Sequence, residues 1–256
     1  MKKLLAATLA ILLIPGLANA ITQGKAARDK DGLRSSVVRI ENSAGELCSG
    51  VLVSSNAVLT AAHCVTVKSS YWVTVMDRKF QSKKLTIAQI VRSPSFDVRL
   101  APTEQTGVDL ALIRLSEPAP DDMEPLTIHA NIPVRMGDEI YVAGFGSTSY
   151  ANIKSARTLR VVSLSIIKTK QPPNDLVIAA DPKSYAMKTG AGACRGDSGG
   201  PAFVFGPEGY GLGGILSWSS SALGEKNSSP CGGITAITPL APNILWIMRN
   251  INAWKQ

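Results

Sequence analysis

Gly196-Asp197-Ser198-Gly199-Gly200-Pro201 is the most specific stretch of the 256-residue chain, and the residues after its serine separate two fold classes. A serine hydroxyl is a poor nucleophile until a base takes its proton and the backbone holds it exposed. Glycines on both sides permit a tight turn and let main-chain N–H groups face a developing oxyanion. Gly-x-Ser-x-Gly also fits the nucleophile elbow of an α/β-hydrolase, where a helix starts directly after the serine and the triad order is Ser, acid, His. Here Gly199-Gly200-Pro201 is a poor helix start, and both histidines, His63 and His129, precede Ser198. Both features argue against the elbow. Taken alone, the motif also reads as a plain Gly-Ser turn.

The base must then be His63 or His129. His63 stands in Thr60-Ala61-Ala62-His63-Cys64, between small residues and a cysteine, after a strand-like run. His129 has no partner motif and reads as a packing or surface residue. Asp109 heads the apolar run Val108-Asp109-Leu110-Ala111-Leu112. A buried acid there needs a partner, and a histidine N–H is one whose tautomer the acid would fix. Asp97, Asp121 and Asp122 sit in polar contexts and read as solvated. The combined order is His, Asp, Ser, one of the known triad orders.

The rest of the chain reads as all-β. Short runs rich in Val, Ile and Thr recur between turn signals: Ser36 to Ile40, Gly50 to Val53, Ala57 to Thr60, Tyr71 to Val75, Leu85 to Val91, Leu110 to Leu115, Glu139 to Ala143, Arg160 to Ile167, Leu176 to Ala180, Pro201 to Phe205 and Gly211 to Trp218. The strongest helical pattern comes last, with Ile244, Ile247, Met248, Ile251 and Trp254 on one face behind Pro242 and Asn243. The Pro-rich stretch Glu117 to Pro125 reads as a crossover between two β lobes. An apolar content of 45% against 18% charged residues excludes a disordered chain.

Residues 1–20 have a Lys-Lys start, an apolar run from Leu4 to Leu17 and the small-x-small end Ala18-Asn19-Ala20, the pattern of a secretory signal peptide of bacterial appearance. Its removal exposes Ile21 and, with Lys2 and Lys3 gone, lowers the net charge from +8 to +6. No later stretch is apolar enough to span a bilayer, so the expectation is a secreted or periplasmic protein with no membrane contact after cleavage. The positive charge is dispersed and aromatic residues make up 5%, which disfavours a nucleic-acid partner. Cys48, Cys64, Cys194 and Cys231 form an even set behind that leader, implying two disulfides with three pairings open. No zinc-like spacing is present, so no metal and no cofactor are expected.

Thr60-Ala-Ala-His-Cys64, Val108-Asp-Leu-Ala-Leu112 and Gly196-Asp-Ser-Gly-Gly-Pro201 resemble the three signature blocks of the chymotrypsin/trypsin-like serine protease family. Cys48-Ser49-Gly50, Gly144-Phe145-Gly146, Ser217-Trp218 and the closing helix with Trp246-Ile247 resemble further parts of it. The likeness runs from Ile21 to Met248. It implies two six-stranded antiparallel β-barrels with a C-terminal α-helix, barrel 1 over about 30–120, barrel 2 over about 130–240 and the helix over about 242–254, all within a protease domain of residues 21–256. It also implies the pairings Cys48–Cys64 and Cys194–Cys231.

By the same resemblance, Ser198 is the nucleophile, His63 its base and Asp109 the acid behind the histidine. The N–H groups of Gly196 and Ser198 form the oxyanion hole, and Ser217, Trp218 and Ser219 pair with substrate. Asp197 receives the new ammonium of Ile21, which signal cleavage alone exposes. Gly192 occupies the pocket-floor position where trypsin-type enzymes carry an aspartate, and Ala193 follows it. Preference for Lys or Arg is therefore not expected; Ser219 and Thr235 would line a neutral pocket for small or medium apolar side chains. Glu225 and Lys226 lie on a lengthened loop between Trp218 and Cys231 and read as solvated. The function implied is a monomeric secreted endopeptidase acting on proteins or peptides and open to protein protease inhibitors. The alternatives are a catalytically silent homologue serving as a binding or adhesion protein, and an esterase-like hydrolase.

Overall fold

The computed structural model describes residues 21–27, 32–77, 81–129, 135–206, 209–226 and 229–255. The expected leader, 1–20, lies outside the described residues. Eight strands precede the crossover: β1 (Lys25–Ala26), β2 (Val37–Asn42), β3 (Leu47–Ser54), β4 (Ala57–Thr60), β5 (Tyr71–Met76), β6 (Ser82–Leu85), β7 (Ile87–Arg92) and β8 (Ala111–Leu115). Six come after it: β9 (Glu139–Gly144), β10 (Arg160–Gln171), β11 (Leu176–Ala180), β12 (Pro201–Gly206), β13 (Gly209–Ser220) and β14 (Ile234–Pro239), and then helix α1 (Ile244–Ala253).

The strands form two antiparallel sheets. One runs β6-β5-β2-β3-β4-β8-β7 and curls, with no hydrogen-bonded seam between its outer strands among the described residues. The other runs β10-β11-β14-β13-β12-β9, with β9 pairing back to β10 to close a six-stranded barrel and β1 added outside β10. Two β lobes and a terminal helix therefore agree with expectation, while the first lobe is an open half-barrel of seven strands. The extra strand arises within the run Leu85 to Val91, which divides between β6, paired to β5, and β7, paired to β8.

The continuous apolar runs result from burial on both faces. Along β4 and β8, Val58, Ala111, Ile113 and Leu115 enter the core of the first lobe. Their alternate neighbours Leu59, Leu110 and Leu112 pack instead against Leu212 and Ile215 of β13 and Ile247, Ile251 and Trp254 of the helix. Period-two geometry thus turns one strand into a wall of both the lobe and the seam. Met248, expected on the buried helix face, is 39% exposed. The crossover is strapped to the first lobe by backbone bonds from Ala119 to Ser55, Glu124 to Ser35 and Leu126 to Leu52.

Candidate active site

His63 lies in the 3₁₀ turn Ala62–Val65 directly after β4. The turn is pinned by the disulfide Cys48–Cys64, with S–S 2.03 Å, and by the fully buried Ala61 and Ala62. Register supplies the partner: Thr60 of β4 faces Ala111 of β8, so Asp109, just ahead of β8, comes level with the turn. Asp109 Oδ1 accepts the backbone N–H of His63 at 3.0 Å, and Oδ2 lies 2.8 Å from His63 Nδ1. A carboxylate can only accept, so Nδ1 carries the proton and Nε2 is left as the basic atom. Ser217 Oγ donates to the same Oδ2 at 2.6 Å. Burial alone would push the carboxyl of Asp109 upward, but the charge and hydrogen bonds of His63 and the Ser217 hydroxyl outweigh it and hold the group below its ordinary value.

Ser198 reaches the same place from the second lobe. Its carbonyl accepts the N–H of Ser49 in β3 at 2.8 Å, and its Oγ donates to the carbonyl of Ser217 at 3.1 Å. In this arrangement the hydroxyl is turned to Ser217, and no hydrogen bond joins it to His63 among the described residues. His63, Ser198, Gly196 and the Cys48–Cys64 disulfide nevertheless wall one cleft of about 280 Å³. Gly199 shows why the motif needs glycine: its φ is +81°, and a Cβ would stand 2.1 Å from Thr60 Oγ1.

The peptide between Arg195 and Gly196 has a fixed direction. The carbonyl of Arg195 accepts the N–H of Ser147 at 2.8 Å. In a trans peptide the N–H points opposite to the carbonyl, so the N–H of Gly196 faces away from Ser147. Neither it nor the N–H of Ser198 donates to another group among the described residues. Gly196 holds φ +97°, and its own carbonyl accepts Ser49 Oγ at 2.9 Å. Two uncommitted donors beside a serine hydroxyl suit an anionic oxygen.

Asp197 is wholly buried beneath this loop. Its Oδ1 accepts the N–H of Gly146 at 2.8 Å and its Oδ2 that of Cys194 at 2.9 Å. Burial outweighs these bonds and the charge of Arg160, pushing its pKa up to about 7. Ile21 is also fully buried, packed with Ile140, Val142 and Ala193 in the second-lobe core, and Thr22 bridges to Gly192.

The expected pocket residues lie on neighbouring backbone. The second disulfide, Cys194–Cys231, joins their two segments, so both implied pairings are present. Thr235 Oγ1 accepts the N–H of Ala193 at 3.0 Å, and a Cβ on Gly192 would stand 3.2 Å from the same oxygen. Thr235 pairs in register with Ser219, whose hydroxyl donates to the carbonyl of Pro230. Glu225 departs from the solvated reading: it accepts a 2.6 Å hydrogen bond from Thr189, just ahead of Gly192, while Lys226 is exposed. Asp97 stays outside the site, paired with Arg99, whose hydrogen bonds lower its pKa to about 2. His129 follows the crossover, its backbone N–H bound to the carbonyl of Leu212, and does not line the cleft that holds His63 and Ser198. Cys48, His63 and Cys64 bring three ligand-type atoms together, but both sulfurs are consumed by their mutual bond.

Sequence reasoning gave Ser49 and Ser147 no role. Ser49 Oγ bridges the N–H of Phe145 and the carbonyl of Gly196, joining the two lobes through one hydroxyl. Its place in Cys48-Ser49-Gly50 was the only available signal.

Two β lobes with a helix behind them and the polar groups gathered at their seam define the chymotrypsin-like class. Residues 21–247 match the Trypsin family model. Kallikrein 1-related peptidase b22 of Mus musculus is 32% identical over 200 residues, covering 71% of this chain and 73% of that protein. Kallikrein-2 of Homo sapiens is 31% identical over 204 residues, covering 70% and 73%. The solved structure of neuropsin, described as a serine protease expressed in the limbic system of mouse brain, aligns with a TM-score of 0.70 at 24% identity, covering 90% of this chain and all of that one. The chain belongs to the trypsin family of serine endopeptidases, whose substrates are proteins and peptides. Its two disulfides fit an oxidising, extracellular setting.

Proposed function

We propose that this chain is a secreted endopeptidase, probed most directly at Ser198, which attacks the scissile carbonyl. His63 Nε2 takes the serine proton and returns it to the leaving amine, while Asp109 orients the ring and stabilises its cation. The N–H groups of Gly196 and Ser198 receive the oxyanion. The observation that carries this reading is the Asp109–His63 pair at 2.8 Å, whose histidine lines the same cleft as Ser198. Rotation of the serine side chain away from the Ser217 carbonyl is the motion the first step requires, and catalytic hydrogen bonds commonly tighten only with substrate bound. The silent-homologue reading would call for the loss of a triad residue, and the sequence retains His63, Asp109 and Ser198.

Cleavage after Ala20 is the activation step in this reading. Ile21 has φ +44°, a costly value for a β-branched residue. That torsion exists only while residue 20 is attached, so cleavage abolishes the strain and frees an ammonium beside the second-lobe core. Asp197, buried with a raised pKa, is the fitting counter-ion. The product is a monomer, exported from a bacterial cell to the periplasm or medium, and susceptible to protein protease inhibitors. The pocket bounded by Gly192, Ala193, Ser219 and Thr235 carries no carboxylate and suits small apolar side chains, with Ser217 and Trp218 pairing to substrate main chain.

A peptide-library cleavage profile of the chain starting at Ile21, beside Ser198→Ala, tests this. Cleavage after small apolar residues, abolished in the variant, is expected. Cleavage after Lys and Arg refutes the pocket assignment; equal turnover by the variant refutes the mechanism.

A further inference from the structure

Arg160 is a buried cation that the Ser198-His63-Asp109 machinery does not use. It opens β10 in register with Gly144 of β9. Gly144 is the floor on which Asp197 rests, since a Cβ there would lie 2.3 Å from Asp197 Oδ1. The strand pairing therefore carries Arg160 alongside the hidden carboxyl. Arg160 is 9% exposed, and arginine is seldom so buried without a partner. Its Nη1 donates to the carbonyl of Thr158 at 3.2 Å, and it forms no close ion pair among the described residues.

The electrostatic pairing is mutual. Asp197 is the carboxylate that raises Arg160 against the lowering effect of burial, and Arg160 is the charged side chain that lowers Asp197. Among the described residues, the hydrogen bonds that reach the Asp197 carboxylate come from the N–H groups of Gly146 and Cys194. Arg39, over the ring of Phe145, is spent on Glu41 at 3.6 Å. An ionised Asp197 holds both N–H groups more firmly than a neutral one. Those bonds fix the loop that carries the Arg195–Gly196 peptide.

We propose that Arg160 is a positioning residue for the oxyanion hole: a resident buried cation that stands in for the N-terminal ammonium opposite Asp197 and keeps the Cys194–Ser198 loop in its working shape in a chain whose first residue is not Ile21. The proposal rests on the peptidase reading. It adds that the enzyme is partly active before its terminus is trimmed. The Ile21 ammonium, once formed, is a second cation on the same carboxyl.

The test crosses two N-termini with three side chains. One set of proteins begins at Ile21 and the other carries one extra alanine, each with Arg160, Arg160→Lys or Arg160→Gln, all checked for folding by thermal melting. The readouts are kcat/KM on one peptide substrate and its pH profile. The extended wild type is expected within roughly tenfold of the Ile21 form, and Arg160→Gln to cost the extended form roughly tenfold or more beyond what it costs the Ile21 form, inside the range that loss of an oxyanion donor produces. Arg160→Lys restores most of it. Removing the cation makes Asp197 harder to ionise, so the acid limb of the extended form moves to higher pH in Arg160→Gln and not in Arg160→Lys. An extended wild type as inactive as its Arg160→Gln variant overturns the proposal. So does an equal loss in both N-terminal forms with an unmoved acid limb, the result of a purely structural role. Inactivity of the Ile21 wild type overturns the peptidase reading itself, and this proposal falls with it.

Discussion

The N–H of Ser147 donates to the carbonyl of Arg195 at 2.8 Å, and that bond sets which way the Arg195–Gly196 peptide faces. With the carbonyl held toward Ser147, the Gly196 N–H is left for the cleft. Ser147 therefore acts through its backbone. Ser147→Ala keeps the donor and is expected to hold kcat/KM within about threefold, whereas Ser147→Pro removes it and should cost about 10²–10³ in kcat. Steady-state kinetics on both variants checks this; equal effects would show that the side chain, near Cys194 Sγ, is what matters.

Asp109→Asn keeps the shape behind His63 but can donate where the aspartate only accepts. The ring then loses the preference that leaves Nε2 basic, and kcat should fall by about 10⁴ near neutral pH. The lowered pKa of Asp109 in the native protein also means that its stabilising pairing is present above the unfolded carboxyl value and lost as pH falls through the folded one. A variant within tenfold of wild type would remove Asp109 from the mechanism.

Asp197 gives the opposite sign in a chain that still extends before Ile21. Its folded pKa of about 7 lies above the unfolded value near 3.9, so the folded state binds the extra proton between them. Stability then declines as pH rises from about 4 to 7, and Asp197→Asn should flatten that slope. In a chain starting at Ile21 the pairing raises the ammonium instead, so its contribution is full below about 7.7 and is lost as pH climbs through the folded value. Urea midpoints measured across pH on both chains decide it; a slope unchanged by Asp197→Asn contradicts the assignment.

Thr235→Gly removes the side chain beside Gly192 and Ala193. The kcat/KM ratio of phenylalanine to alanine substrates should rise by about tenfold or more, the scale on which pocket space discriminates side chains. The N–H of Ala193 loses its partner, a cost of about 1–3 kcal/mol that thermal unfolding should reveal. An unchanged ratio would place the pocket wall elsewhere.

Locality decides how much of this the sequence reveals. Ala57 to Thr60 and Leu176 to Ala180 match β4 and β11 residue for residue, because both are apolar, β-rich and bounded by turns. β14 escapes detection although Ile234-Thr-Ala-Ile-Thr has strand composition, since Gly232-Gly233 before it and Pro239 at its end read as loop. β1, two residues long, has no periodicity to detect. The chemistry proposed for His63, Asp109 and Ser198 is readable from residue type and order. The work of Ser49 is not, because its acceptor Gly196 lies 147 positions away in the other lobe. The same holds for Arg160, whose meaning depends on the strand register that sets it beside Gly144.

The central claim is that the Ser198 hydroxyl is made nucleophilic by the Asp109-backed imidazole of His63. Its most direct measurement is the rate of covalent labelling by a fluorophosphonate, with mass spectrometry of the labelled peptide. A single adduct on Ser198, absent in Ser198→Ala and slowed about 10³-fold or more in His63→Ala, is the expected result. Labelling of another residue, or labelling of Ser198 at an unchanged rate without His63, would contradict the account.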